Sequence, residues 1–431
     1  MDIYSLDIKH NKWIYLYYLL LHFVCLSWTN IDLVAPSAML RILVTGAVFL
    51  PLIKYFWMAP AVIILFVGLR FNSVAPFGYI PQSWDIYGIM ILFVAVLHSF
   101  LYKNKSLLHF NKTQILLLFF IYIIDVINFQ FYTPILLFVI MLYVLYNSIN
   151  NQIAFNLTIF SFVLLTITLS IYFIVFAEEF VENYYGEDLE RSSWLDPNYF
   201  GLVLGCGVIL SSACLFRAIR VYLSVSYKIV FIVCIVLGFI VVVLQASRGA
   251  VLSVTVALMI QLFFSKTKLS YKIVALIVGL LGLFYMYQLE YFDLLIERVS
   301  NDDSGGSGRG KIWENKIITW LEQPIYYLGS GYQGAVSNFK PYKLDCHNEF
   351  VSTLLNYGFV GLILLFVFIF KLLSYKFNRS FIWSLVFFIL IAFCTLSPIT
   401  CQTGWTACPL LLVLIYKYIH LNKLNVISAK R

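Results

Sequence analysis

The chain has 431 residues, of which 62% are hydrophobic, 18% aromatic and 12% charged, with a mean hydropathy of +0.89. Soluble domains carry about 25% charged residues, so this chain has too few ionic groups to cover its apolar surface in water, and its main solvent is lipid. The apolar runs are long and do not alternate, which excludes a β-barrel and predicts an all-α integral membrane protein. Net charge is +8, from 29 Lys and Arg against 21 Asp and Glu. In a lipid-embedded chain that excess is first a topology signal, and no nucleic-acid partner is expected.

Apolar runs of spanning length begin near Trp13, Pro36, Tyr55, Asp85, Gln114, Tyr132, Ala154, Asn198, Tyr227, Ala250, Tyr271, Phe350, Phe381 and Gln402. They predict about 12–14 transmembrane helices by the length rule. The runs divide the chain into N-terminal helices (1–176), an acidic loop (177–197), a middle helical group (198–289), a long loop (290–349) and C-terminal helices (350–431). Basic residues fall into alternate loops. Arg41, Arg70, Arg191, Arg248, Arg298, Arg309, Lys311, Lys316, Lys340 and Lys343 lie on one side, and the other nineteen, Lys417 among them, on the opposite side. The richer side is cytoplasmic by the positive-inside rule, so both termini are cytoplasmic and both large loops external. The N-terminus, MDIYSLDIKHNKW, does not read as a cleavable signal peptide. Eight cysteines show neither CxxC pairs nor zinc or disulfide spacing, and most read as small core residues.

Long loops carry function more often than short ones. The acidic loop reads as a solvated face, from Glu178 to Glu190. The longer one opens with NDDSGGSGRG, flexible by composition. It continues as KIWENKIITWLEQP, where Ile312, Trp313, Ile317, Trp320 and Leu321 stand near helical spacing. That spacing predicts a helix along the membrane surface with its tryptophans at headgroup level.

Three signals for chemistry follow, all on the external side. Arg248, in QASRGAVL, stands where one span ends and the next begins. It reads either as a snorkelling interface residue or as a cation awaiting an anion. Its outer position, with Gln245 and Ser247 beside it, points to phosphate oxygens, for which guanidinium is a matched fork. Arg309 and Lys311 follow a partial G-x-x-x-x-G-K pattern that fails as a P-loop, because Ile312 replaces the required Ser or Thr. The segment reads as a tether ending in a surface helix, or as an anion contact at a helix start. His347, flanked by Asp345, Asn348 and Glu349, is of the residue type most often used as a general base, and its spacing does not make a metal site. Further candidates are Trp194, Asp196, Asn198 and Tyr199 in WLDPNYFG, and Arg70 at an outer span end; Asp196-Pro197 also suits a helix start. Arg41 and Asp125 lie inside spans, near enough to an outer end to reach water.

SRGAVL, then GRGKIWE, then HN followed nine residues later by GFVG, resembles the bacterial O-antigen polymerase and O-antigen ligase superfamily over the second half of the chain. WLDPNYFG resembles a segment found ahead of these motifs in the polymerases. The resemblance implies glycosyl transfer on the external face of the bacterial cytoplasmic membrane, inverting and without metal or cofactor. The donor would be an oligosaccharide repeat unit on undecaprenyl diphosphate, and the product O-antigen or capsular polysaccharide. It implies catalytic roles for His347, Arg248 and Arg309, and substrate contacts at Arg70, Trp194, Asp196, Asn198, Lys311, Trp313, Asn348 and Glu349. Implied partners are the lipid-linked oligosaccharide, membrane lipid, and flippase and chain-length regulator proteins. A ligase would move finished glycan to lipid A-core or another acceptor. A transporter of the lipid-linked unit would want charges deep in the bundle and short outer loops.

Overall fold

A computed structural model describes residues 49–68, 83–103, 105–108, 110, 112–129, 134–175, 197–216, 218–219, 225–245, 247–293, 296, 308–375, 378–396 and 407–428. These residues are 83% helix, with no strands among them. The helices are α1 (Ala59–Gly68), α2 (Ser83–Leu101), α3 (Lys112–Ile127), α4 (Pro134–Ser148), α5 (Gln152–Val175), α6 (Pro197–Leu215) and α7 (Val225–Leu244). There follow α8 (Arg248–Phe264), α9 (Leu269–Gln288), α10 (Arg309–Leu321), α11 (Gly334–Ser337), α12 (Glu349–Leu373), α13 (Arg379–Thr395) and α14 (Ala407–Ser428). The spans expected near Trp13 and Pro36, the acidic segment up to residue 196, and Arg41 and Arg70 lie outside the described residues.

Each expected apolar run from Tyr55 to Phe381 is helical. Among the described residues, Ile153–Val175, Leu269–Gln288 and Glu349–Leu373 are long and apolar enough to cross a membrane. Leu269, Ile273, Ile277, Leu281 and Phe284 of α9 are all exposed, as a lipid-facing helix requires.

The chain forms two compact units. The first comprises residues 1–123, 132–165 and 409–431. Within it α4 packs on α1 and α2 around Phe56, Val62, Ile91 and Val144. Lys417, counted from the sequence among the loop cations, is instead buried, its ammonium 4.7 Å from the centre of the Tyr146 ring. The helix around it continues to Ser428, so the ammonium meets an aromatic face inside the unit.

The second unit comprises residues 124–131 and 166–408. Here α6 packs on α7 and α8, while α13 packs along α8 and α12. Gln261 ties three of these helices: its Nε2 donates to the Ile209 carbonyl (3.1 Å) and to Ser384 Oγ (3.0 Å), and its Oε1 accepts from Ser212. In an apolar bundle such interhelical bonds supply orientation that oil-like side chains cannot.

Residues 308–348 fold onto α12 as a small layer with its own hydrophobic core. Trp320, Ala335, Phe339, Cys346 and Leu355 form its buried centre. The tryptophans expected at headgroup level are therefore placed differently. Trp320 is 2% exposed, its indole donating to the Tyr326 carbonyl, and Trp313 donates to the Cys346 carbonyl. The apolar face of α10 is covered by its own downstream chain, where Phe339 alone contributes about 1.5–3 kcal/mol of burial. Asp125, expected within reach of water, is also fully buried, because this layer closes over the end of α3.

Candidate active site

Helix α8 opens on Ser247, whose extended backbone and side-chain oxygen cap the helix by accepting from Ala250 N–H (3.3 Å). The same hydroxyl donates to Asn198 Oδ1 (2.8 Å), so the WLDPNYFG segment is joined to the Arg248 corner. Pro197 starts α6 one residue earlier, as a Pro-led helix should. Arg248 is the first residue of α8, half-buried, with no acidic residue in the first turn. A cation at this end opposes the helix dipole and adds to the positive potential there. Gly249 lies against α13: a Cβ there would stand 2.6 Å from Thr395 Oγ1.

Arg309 repeats the arrangement. It is the first residue of α10 after left-handed Gly308, again with no acid in the first turn. Its Nη1 donates to the Thr395 carbonyl (2.9 Å), at the C-terminal end of α13. Lys311 is exposed, and Trp313 Nε1 donates to the Cys346 carbonyl (2.6 Å), linking α10 to the residue before His347.

Asn348 caps α12. Its Oδ1 accepts from Phe350 N–H (3.0 Å) and Val351 N–H (3.1 Å), while its Nδ2 donates to the Cys394 carbonyl (3.4 Å). His347, just before this cap, has φ 48 and a side chain 34% exposed. Its Nδ1 lies 3.6 Å from Asp345 Oδ2, beyond a hydrogen bond. A non-glycine residue in this backbone region carries strain, which is commonly concentrated at functional positions. Glu349 is fully buried and accepts from Thr353 Oγ1 (3.2 Å), so its carboxylate is turned into the protein.

Three helix N-termini, carrying Arg248, Arg309 and His347-Asn348, thus meet residues 394 and 395 of α13. Trp194, Asp196 and Arg70 lie outside the described residues, as does the side chain of Tyr199. Sequence reasoning missed Thr395, the shared anchor, because FCTLS carries neither charge nor motif. It also missed Lys316, fully buried on α10, whose ammonium donates to the carbonyls of Ala335 and Phe339 and so holds α11 against α10. Burial pulls its pKa below 10.5, partly offset by the nearby Cys346 and Asp345. Burial likewise pushes the Cys346 thiol up to about 12, so this cysteine is unreactive core. Among the described residues no group of three His, Cys, Asp or Glu side chains is placed to hold a metal ion.

The described residues form an all-helical membrane protein in which Arg248 and Arg309 open two helices and His347 precedes a third. Residues 233–366, from inside α7 to inside α12, match the family model described as O-antigen ligase, which supports the O-antigen ligase and polymerase superfamily. The matched stretch holds Arg248, Arg309 and His347. No curated protein and no solved structure matches the chain. The matched stretch is similar to proteins that transfer glycan in O-antigen synthesis, and the apolar helices fit a membrane protein.

Proposed function

We propose that this chain is a glycosyltransferase that polymerises undecaprenyl-diphosphate-linked repeat units into O-antigen or capsular polysaccharide on the external face of the cytoplasmic membrane. The observation that carries this reading is that three helix N-termini, those opening on Arg248-Gly249, Arg309 and Asn348, all approach the C-terminal end of α13, with His347 directly before the third. In a single displacement, the acceptor oxygen bonds to the anomeric carbon as the bond from that carbon to the diphosphate oxygen breaks. The electron pair leaves on the lipid diphosphate, where the two guanidinium groups meet the growing charge. Preorganised donors of this kind contribute about 2.7–4 kcal/mol each, or 10²–10³ in rate. His347 takes the acceptor proton, contributing about 10²–10⁴, with the Asp345 carboxylate 3.6 Å from its Nδ1. Asn198, Lys311, Trp313 and Asn348 surround this chemistry as substrate contacts.

The family's description favours a second reading, a ligase that delivers finished glycan to lipid A-core or another acceptor. Donor chemistry is common to both, and WLDPNYFG supports the polymerase. Product length separates them. Purified protein incubated with its lipid-linked repeat unit should yield a ladder of lengths, and a deletion strain should show surface glycan capped at a single unit. Long glycan retained on undecaprenyl diphosphate in that strain would establish the ligase instead.

A further inference from the structure

We propose that Asp125 is a positioning residue of the transfer site, acting from α3 on the segment that carries His347. This rests on the glycan-transfer reading above. A fully buried carboxylate in an apolar helix is costly and is retained where something specific depends on it. The dependent group is identified: Asp125 Oδ1 accepts from the Tyr332 backbone N–H at 2.8 Å. Three residues along, Asn128 Nδ2 donates to the Gly329 carbonyl at 3.2 Å. The end of α3 therefore grips both sides of the turn 329–332.

That turn is seated in the broken part of α12. Ser330 N–H donates to the Leu355 carbonyl (3.1 Å), Gly331 N–H to the Asn356 carbonyl (2.9 Å), and Asn356 Oδ1 accepts from Ala335 N–H (2.7 Å). From there the bonds run toward the site. The Ala335 carbonyl accepts from Lys316 of α10, the Val336 carbonyl accepts from Lys343 N–H, and α10 grips the Cys346 carbonyl through Trp313. Arg309 opens the same α10 but is held at its other end by Thr395, and Arg248 belongs to another helix, so a fault at Asp125 falls first on the segment leading to His347 and less on the two arginines. Asp125 Oδ2 has no hydrogen-bond partner among the described residues, so Oδ1 alone does the positioning.

The test separates geometry from charge. Asp125→Asn keeps an acceptor at Oδ1 without the charge; Asp125→Glu keeps the charge and displaces the acceptor by one methylene. In full-length protein purified in detergent, with lipid-linked repeat unit as donor, Asp125→Asn should retain kcat within about threefold of wild type. Asp125→Ala and Asp125→Glu should lose at least about tenfold in kcat with donor KM little changed. Should Asp125→Ala fail to accumulate, the Asn and Glu pair decides the matter. Glu more active than Asn, full activity in Asp125→Ala, or a loss carried by donor KM would each overturn the positioning role. Arg248→Ala and His347→Ala run alongside: activity unchanged in these two refutes the glycan-transfer reading itself, whereas their loss beside an unaffected Asp125→Ala refutes only the role given to Asp125.

Discussion

Arg248 and Arg309 each stand at the positive end of a helix, where a carboxylate would be the stabilising choice. In the proposed reaction they act through the field they make together with the helix ends. Arg248→Lys keeps the charge and loses the planar fork, so activity should fall well below wild type, and Arg248→Ala should fall further, by about 10²–10³ in kcat. Full activity in the alanine variant at normal protein level would return Arg248 to an interface role. His347 tests the link between strain and function. Its left-handed backbone suits glycine better than histidine, so His347→Gly should match or exceed wild type in thermal stability while losing about 10²–10⁴ in rate. A less stable glycine variant would show that the ring, and not the backbone conformation, dominates stability there.

Helix α12 is not one continuous helix, and its break explains a motif. Gly358, the first residue of GFVG, has φ 65, a conformation that interrupts the run Glu349–Leu373. A Cβ at Gly358 would fall on the Tyr327 carbonyl oxygen and stand 2.6 Å from the Leu328 carbonyl carbon. The break exposes the carbonyls of Leu355 and Asn356 to the turn at Ser330 and Gly331, which satisfies them inside protein, as an apolar setting demands. Gly358→Ala combines a left-handed backbone cost of about 1–2 kcal/mol with that collision, and should lower the thermal unfolding midpoint or the yield of folded protein. Gly279 of α9 is the matched control, since nothing lies within 4 Å of its Cβ position. Gly279→Ala should leave the midpoint unchanged or raise it, by up to about 0.5–1 kcal/mol of stability. Equal behaviour of the two variants would mean that the interlock at Gly358 is not tight.

At the scale of the whole molecule the open quantity is orientation. The proposed chemistry requires the 308–348 layer on the external face, with the α8–α9 connection inside. Ser337 is exposed in the first and Lys266 in the second. In a cysteine-free background, Ser337→Cys should react with an impermeant thiol reagent in intact cells, and Lys266→Cys only after permeabilisation. The reverse pattern would place the cationic centre in the cytoplasm, away from any externally presented glycan, and would remove the basis of the proposed reaction.

The lipid-embedded helical class was legible in the sequence because it depends on composition and on the length of apolar runs, which are local properties. The helix starts at Pro197 and Arg309 were legible for the same reason, from Pro at a first turn and from helical spacing. Arg248, Arg309 and His347 stood out because charged and titratable groups are scarce in such a chain and each is costly to retain. Tertiary structure alone decided that Arg309 and Asn348 bond the last carbonyls of α13 while Gly249 packs against Thr395, that α10 turns Trp320 and Lys316 into protein, and that Asp125 is buried. Those outcomes rest on hydrogen bonds between distant positions, 86 residues apart for Arg309 and Thr395 and 207 for Asp125 and Tyr332. Periodicity tells which face of a helix is apolar. Which helix end lies against which carbonyl is set by how the packed helices satisfy their buried polar groups, and no local pattern encodes that pairing.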